Sequence, residues 1–123
     1  MIDMKIDTFT KAYIVCALWS SSDNSDEQGG DPLDKNYDAS DLAPQTLASM
    51  AADCKAFQET NEEDLADLDD TQSGHDFWLT RNGHGAGFWD RGYPKDQATR
   101  LTDASKAYGE VYLYVGDDGQ LYV

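Results

Sequence analysis

Apolar residues recur at helical spacing over the first nineteen positions, where Ile2, Ile6, Phe9, Tyr13 and Cys16 step by four and three. Asp7 or Thr8 is suited to cap that helix. The run from Ala12 to Trp19 is apolar almost all round, as in a helix central to a core, although Ile14-Val15 leaves a buried strand open. Residues 20–40 then lose any apolar period and read as loop, through Asp23, Asn24, Gly29-Gly30, Asp31-Pro32 and Asn36. Ala43-Pro44 marks a helix start, since proline is tolerated where its missing N–H is not needed. Leu47, Met50, Cys54 and Phe57 follow along one face of that helix. A short helix is predicted after Thr60, with Thr60 and Glu63 at capping-box spacing and Leu65 and Leu68 as its apolar edge. Asp69 and Asp70 fall at its negative end and should fray it.

The second half changes period. Asp76 to Arg81 and Gly87 to Arg91 are aromatic segments around the glycine-rich stretch 82–86, a pattern that predicts a β-hairpin over 76–91. Pro94 opens a helix with Ala98, Leu101, Ala104 and Tyr108 inward and Gly109 as its left-handed terminator. Residues 110–123 alternate Val111, Leu113 and Val115 against Tyr112 and Tyr114, turn at Gly116 to Gly119 and return through Leu121 and Val123. These elements give an α+β fold. Helices near 8–19, 44–59 and 95–108 pack on one face of an antiparallel sheet, with strands near 76–81, 86–91, 110–115 and 119–123. The expected core holds Cys16, Met50, Cys54, Phe57, Leu101 and Leu113. A length of 123 residues fits a single domain over 1–123, able to bury about two-thirds of its unfolded surface without staples.

Charge sharpens this picture. The chain carries a formal net charge of −15, and residues 20–70 hold fifteen carboxylates against Lys35 and Lys55 alone. Such a surface repels nucleic acid and anionic membrane and attracts basic surfaces, which in a cell are mostly those that hold nucleic acid. Cys16 and Cys54 lie far apart within apolar helical patterns, so two buried, reduced thiols are expected, and with them a reducing compartment. Asp3 and Asp7 stand where a signal peptide is basic, and the Ala12–Trp19 run is too short to span a bilayer. A cytoplasmic location is expected.

The stretch Gly74-His75-Asp76-Phe77-Trp78-Leu79-Thr80-Arg81-Asn82-Gly83-His84-Gly85-Ala86-Gly87-Phe88-Trp89-Asp90-Arg91 resembles the signature of a family of small acidic proteins encoded by phages and prophages. Cys16 to Ser21, Pro32 to Tyr37 and Leu113 to Gly119 are similar to the same family. The family carries no assigned activity, so the resemblance implies no catalytic residue. It implies a mobile-element origin, a setting in which small acidic proteins inhibit restriction, CRISPR or DNA-repair machinery of the bacterial host.

Four groups of residues carry candidate chemistry. Glu59, Glu63, Asp67 and Asp70 step by four, four and three, so a continuous helix would line them on one face about 5–6 Å apart, close to phosphate spacing along a strand. With Glu62, Asp64 and Asp69 they form the expected partner-binding set. Asp31 and Asp34 belong to it too, and Asp23, Asp26 and Glu27 extend it as an auxiliary loop. The plainer alternative is a solvated helix face. His75 and His84 with Asp76 and Asp90 are the one constellation suited to a metal or to acid–base work, although two histidines make a thin site. Gly83, Gly85 and Gly87 lack the lysine and following helix of a phosphate loop and read as turn geometry with positive φ. Phe77, Trp78, Phe88 and Trp89 read as core with partial exposure, since a stacking platform for nucleic acid needs a basic surround.

The sequence therefore predicts a non-enzymatic inhibitor without cofactor or metal, whose acidic half binds a basic nucleic-acid site on a host protein. The rival expectations are a small enzyme or metal protein built on His75, His84, Asp76 and Asp90, and a phage component that self-associates through its aromatic face.

Overall fold

The computed structural model describes residues 6–23, 31–83 and 86–123. Ile2, Asp3, Asp26, Glu27, His84 and Gly85, all singled out above, lie outside the described residues. The fold is α+β. Helix α1 spans Thr8–Ser20 and is capped by Asp7, whose carboxylate accepts the Thr10 N–H at 2.8 Å. Phe9, Tyr13, Ile14, Cys16, Ala17 and Leu18 are buried, while Lys11, Val15 and Trp19 look outward at steps of four. The loop expected over 20–40 contains a minimal antiparallel pair, β1 (Ser22–Asp23) with β2 (Asp31–Pro32). A 3-10 turn at Leu33–Lys35 then drives Leu33 fully into the core.

Helix α2 spans Pro44–Thr60 with proline in its first turn, and buries Met50, Cys54 and Phe57 as its apolar period requires. Asn61 interrupts it, and the four-residue α3 (Glu62–Leu65) follows. The expected Thr60–Glu63 capping box does not form. Thr60 ends α2, and Asn61 instead donates through Nδ2 to the Phe57 carbonyl, closing that helix at its C-terminus. Helix α4 then spans Asp70–Arg81.

Helix α4 replaces the first strand of the hairpin expected over 76–91, and a 3-10 turn at Phe88–Asp90 replaces the second. A strand sends adjacent side chains to opposite faces, whereas Phe77, Trp78 and Leu79 are all buried. Burial on so many sides is possible because α4 lies against α1 along most of its length and also meets the Phe88–Asp90 turn. The helix start was hidden in Asp69 and Asp70. The sequence places those residues at the negative end of the preceding helix, but Asp69 accepts the Thr71 N–H at 3.4 Å as the N-cap of α4. Asp70 sits in the first turn, where the macrodipole favours a carboxylate. Gly74 makes the contact with α1 possible, because a Cβ there would collide with the Phe9 carbonyl oxygen and stand 3.0 Å from the Ala12 Cβ.

Helix α5 spans Lys95–Lys106 behind Pro94, with Ala98 and Leu101 buried and Gly109 at φ +75° after its end. The C-terminal hairpin forms, reduced to β3 (Tyr114–Val115) paired antiparallel with β4 (Leu121–Tyr122). Leu121 bridges to Leu42 and accepts the Ala43 N–H at 3.0 Å, tying this ribbon to the entry of α2. The sheet is thus two small ribbons, and the expected layer of helices on a four-stranded sheet is replaced by a helical core. All six expected core residues are buried, and Phe57 and Phe77 stack at 4.1 Å at its centre. A ring pair of this kind adds about 0.5–1.5 kcal/mol beyond its buried area.

Candidate interaction surface

The acidic residues do not share one helix. Glu59 lies in the last turn of α2, Glu62, Glu63 and Asp64 in α3, Asp67 in the turn after it, and Asp69 and Asp70 at the start of α4. The single stripe expected for Glu59, Glu63, Asp67 and Asp70 is broken because Asn61 ends one helix and Asp69 begins another. What forms instead is a carboxylate-rich corner around the short α3. On one side Glu59, Glu62 and Asp70 border a shallow depression floored by Leu65 and Ala66. On the other, Glu63, Asp64 and Asp67 border a second depression completed by Pro94, Asp96, Gln97 and Arg100 of the α5 entry.

Six of these seven carboxylates are exposed, Asp64 being half-buried. Asp64 takes both N–H groups of the Arg100 fork at 2.7 and 2.8 Å, and those bonds hold its carboxyl below the ordinary carboxylate range. Lys55 Nζ approaches Glu59 only to 4.0 Å, both side chains being largely solvated, so the pair does little to neutralise the corner. Gln97 Nε2 donates to the Asp64 carbonyl at 2.6 Å and to Asp67 Oδ1 at 3.3 Å, pinning the turn to α5 without adding charge. Among the described residues Glu62, Glu63, Asp67, Asp69 and Asp70 form no salt bridge. Asp31 and Asp34 stand elsewhere, on β2 and the 3-10 turn that pack against α1, and Asp31 pairs with Lys35 at 3.3 Å.

Of the histidine–carboxylate constellation, His84 lies outside the described residues, and Asp76 and Asp90 are engaged in bonds within the fold. Asp76 is fully buried and is gripped by Arg91 at 2.7, 3.0 and 3.2 Å, with Gln72 donating at 3.1 Å. Burial raises its carboxyl above the ordinary range, and Arg91 opposes that rise. Asp90 accepts the Gly87 N–H at 3.0 Å and so fixes the following turn. His75 is half-buried beside Trp19, ring centroids 6.5 Å apart, and burial lowers its pKa. Among the described residues no three His, Cys, Asp or Glu side chains are grouped to hold a metal ion. Burial pushes the Cys16 thiol up to about 12 and raises Cys54 further.

Sequence reasoning missed the largest interior polar group. Arg81 is buried, and its guanidinium donates to Asp53 (2.9 Å), the Tyr13 hydroxyl (3.1 Å) and the carbonyls of Tyr108 and Gly109 (both 2.9 Å). It also lies over the Phe77 and Tyr108 rings at 5.6 and 5.5 Å. No local pattern announces partners 27 to 68 positions away. A cavity of about 490 Å³ between the end of α1 and residues 111–115 is lined by serines, Asn82, Trp78, Tyr112, Tyr114 and aliphatic side chains. Among the described residues its walls carry no carboxylate, histidine or basic group.

No family model, curated protein or solved structure matches this chain. No helix among the described residues is long and apolar enough to cross a membrane.

Proposed function

We propose that this chain is a non-enzymatic binding protein whose acidic corner occupies a basic, nucleic-acid-binding surface of a host DNA- or RNA-handling protein. In this reading it acts as a phage-type inhibitor of defence or repair machinery in the bacterial cytoplasm. The observation that carries the reading is the grouping of six exposed carboxylates from α2, α3 and α4 around a four-residue helix, with Arg100 already committed to Asp64. Neighbouring like charges repel one another, and two of the six are held, Asp69 by its cap to Thr71 and Asp67 by Gln97. A concentration of negative charge is what a phosphate-binding surface attracts. The phage setting rests on the resemblance of residues 74–91.

The test compares the parent with a quadruple variant, Glu59→Gln, Glu63→Gln, Asp67→Asn and Asp70→Asn, in pull-downs from nuclease-treated bacterial lysate, eluted with a salt gradient. The parent should retain a nucleic-acid-handling protein at low salt and release it as screening rises. The variant should fold and release that partner at distinctly lower salt. Equal retention of the same partner by both proteins would make the corner a solvated face and end the proposal.

A further inference from the structure

Most of the described residues in 74–91 are engaged in holding the fold together. Gly74 seats α4 on α1, Asp76 clamps Arg91, Phe77, Trp78, Leu79 and Phe88 fill the core, and Arg81 anchors α2 and the chain after α5. Thr80 Oγ1 accepts the Phe88 N–H at 3.2 Å, Asn82 accepts the Val111 N–H at 2.8 Å, and Asp90 holds Gly87. Trp89 differs. It is 53% exposed and donates no hydrogen bond to any described residue. Its indole lies against Gly87, where an added Cβ would stand 3.3 Å from Trp89 Nε1.

Trp89 forms one wall of an open slot of about 330 Å³, with Tyr93 beside it and the α5 face of Ala98, Thr99 and Thr102 as its floor. The slot's charged groups are Asp103 and Lys95. Asp96 and Asp90 are exposed on the neighbouring turns of chain. Two aromatic side chains and a carboxylate in one lining suit a flat cation, the exposed Lys95 being able to turn its ammonium to water. Arginine fits best, because its planar guanidinium stacks on rings and pairs with a carboxylate through two N–H groups. The chain already uses this chemistry in its interior, where Arg81 lies over Phe77 and Tyr108 and pairs with Asp53. A nucleotide fits less well, since its phosphate would meet Asp103 in the slot and Asp90 and Asp96 nearby, against Lys95 as the one cation among the described lining residues.

The slot lies beside the acidic corner. Lys95, Ala98, Thr99 and Thr102 occupy one face of α5, and Asp96, Gln97 and Arg100 the adjoining face that borders the corner. Tyr93 and Pro94 are consecutive and line one depression each. Burial raises the Tyr93 phenol, with Asp76, Asp69 and Asp67 among the charges that add to the rise.

We propose that the Trp89–Tyr93 slot is an arginine-binding site, taking one arginine side chain of the basic partner while the acidic corner takes its neighbouring positive charges. This rests on the proposed capture of a basic surface, and it adds the position and chemistry of the anchor. The test uses the full chain labelled with 5-fluorotryptophan, the three fluorine signals being assigned by single Trp→Phe variants. The probes are a nine-residue Arg/Gly peptide, its Lys/Gly and citrulline/Gly equivalents, and AMP.

The Arg/Gly peptide should shift the Trp89 signal and bind about fivefold more tightly than the Lys/Gly peptide, and citrulline/Gly should not bind. Trp89→Leu should weaken Arg/Gly binding about fivefold, bringing it level with Lys/Gly, with an unchanged salt dependence. A thermal melt of Trp89→Leu controls for folding, and Asp103→Asn, which leaves both rings in place, should weaken Arg/Gly binding in the same direction. Equal binding of both basic peptides, unaffected by Trp89→Leu but lost in the quadruple acidic variant, would overturn the slot and leave the corner standing. Binding by neither basic peptide would overturn both, and a Trp89 shift with AMP alone would make the slot a nucleotide site and overturn this assignment.

Discussion

The guanidinium of Arg81 is the interior group whose removal tests the fold most directly. Its side chain is 2% exposed, and its four hydrogen bonds join α4 to Tyr13 of α1, Asp53 of α2 and the Tyr108–Gly109 segment after α5. Arg81→Met keeps much of the stem volume and deletes the charge and all four donors. Breaking a buried pair by removing one partner costs about 3–5 kcal/mol. The Asp53 side chain is 35% exposed and can recover water, which puts the expected loss near about 3 kcal/mol. For a chain of this length that corresponds to a fall in Tm of about 10 °C. Urea unfolding followed by tryptophan fluorescence gives the quantity directly. Arg81→Lys should lose less, since it keeps the charge but replaces a planar fork by a single ammonium. Asp53→Asn should also lose about 3 kcal/mol, because it leaves the buried guanidinium without its counter-charge. A loss below about 0.5 kcal/mol for Arg81→Met, the range of an ordinary surface change, would refute the hub.

Gly74→Ala should destabilise by about 1–2 kcal/mol although alanine is the better helix former by about 1 kcal/mol, because the new methyl meets the Phe9 carbonyl; a raised urea midpoint would contradict the close approach of α1 and α4. His75 should titrate below its usual 6.5 by NMR. Its lowered folded pKa means that its contribution to stability is complete above about 6.5 and declines as pH falls from there through the folded value, so His75→Gln should flatten that part of the pH profile. Cys16 and Cys54 should resist a thiol reagent at pH 8 in the native protein and both react in urea, whereas fast labelling of either without denaturant would refute their burial.

The helices with one clean apolar period were legible from sequence: α1, α2 and α5 start and stop within about two residues of expectation. Helix α4 was not, because its apolar residues are consecutive and the glycine-rich stretch beyond it imitates a hairpin turn. Its one local signal was Asp69-Asp70, which a reader assigns to whichever helix has already been drawn. Gly87 shows the same ambiguity at the scale of one residue: its φ is extended, and the reason for glycine is Thr80 Oγ1, a neighbour seven positions back. At the acidic corner the residues were legible and the geometry was not. Asn61 was the decisive position, and its preference for helix ends was outweighed in the reading by the regular spacing of the acids around it.

The ion pairs have a consequence for what kind of molecule this chain can grip. Its three arginines are Arg81, Arg91 and Arg100, and each already holds a carboxylate of its own chain: Asp53, Asp76 and Asp64. The guanidinium fork is the side chain best shaped to clasp a phosphate, and here every fork is closed on an internal partner. The cations left facing water among the described residues are lysines, point charges on flexible stems, scattered among a large excess of acids. A genome, a transcript and a membrane all present phosphate as their outermost chemistry. Among the described residues, none of them would meet a guanidinium that is not already paired within the chain.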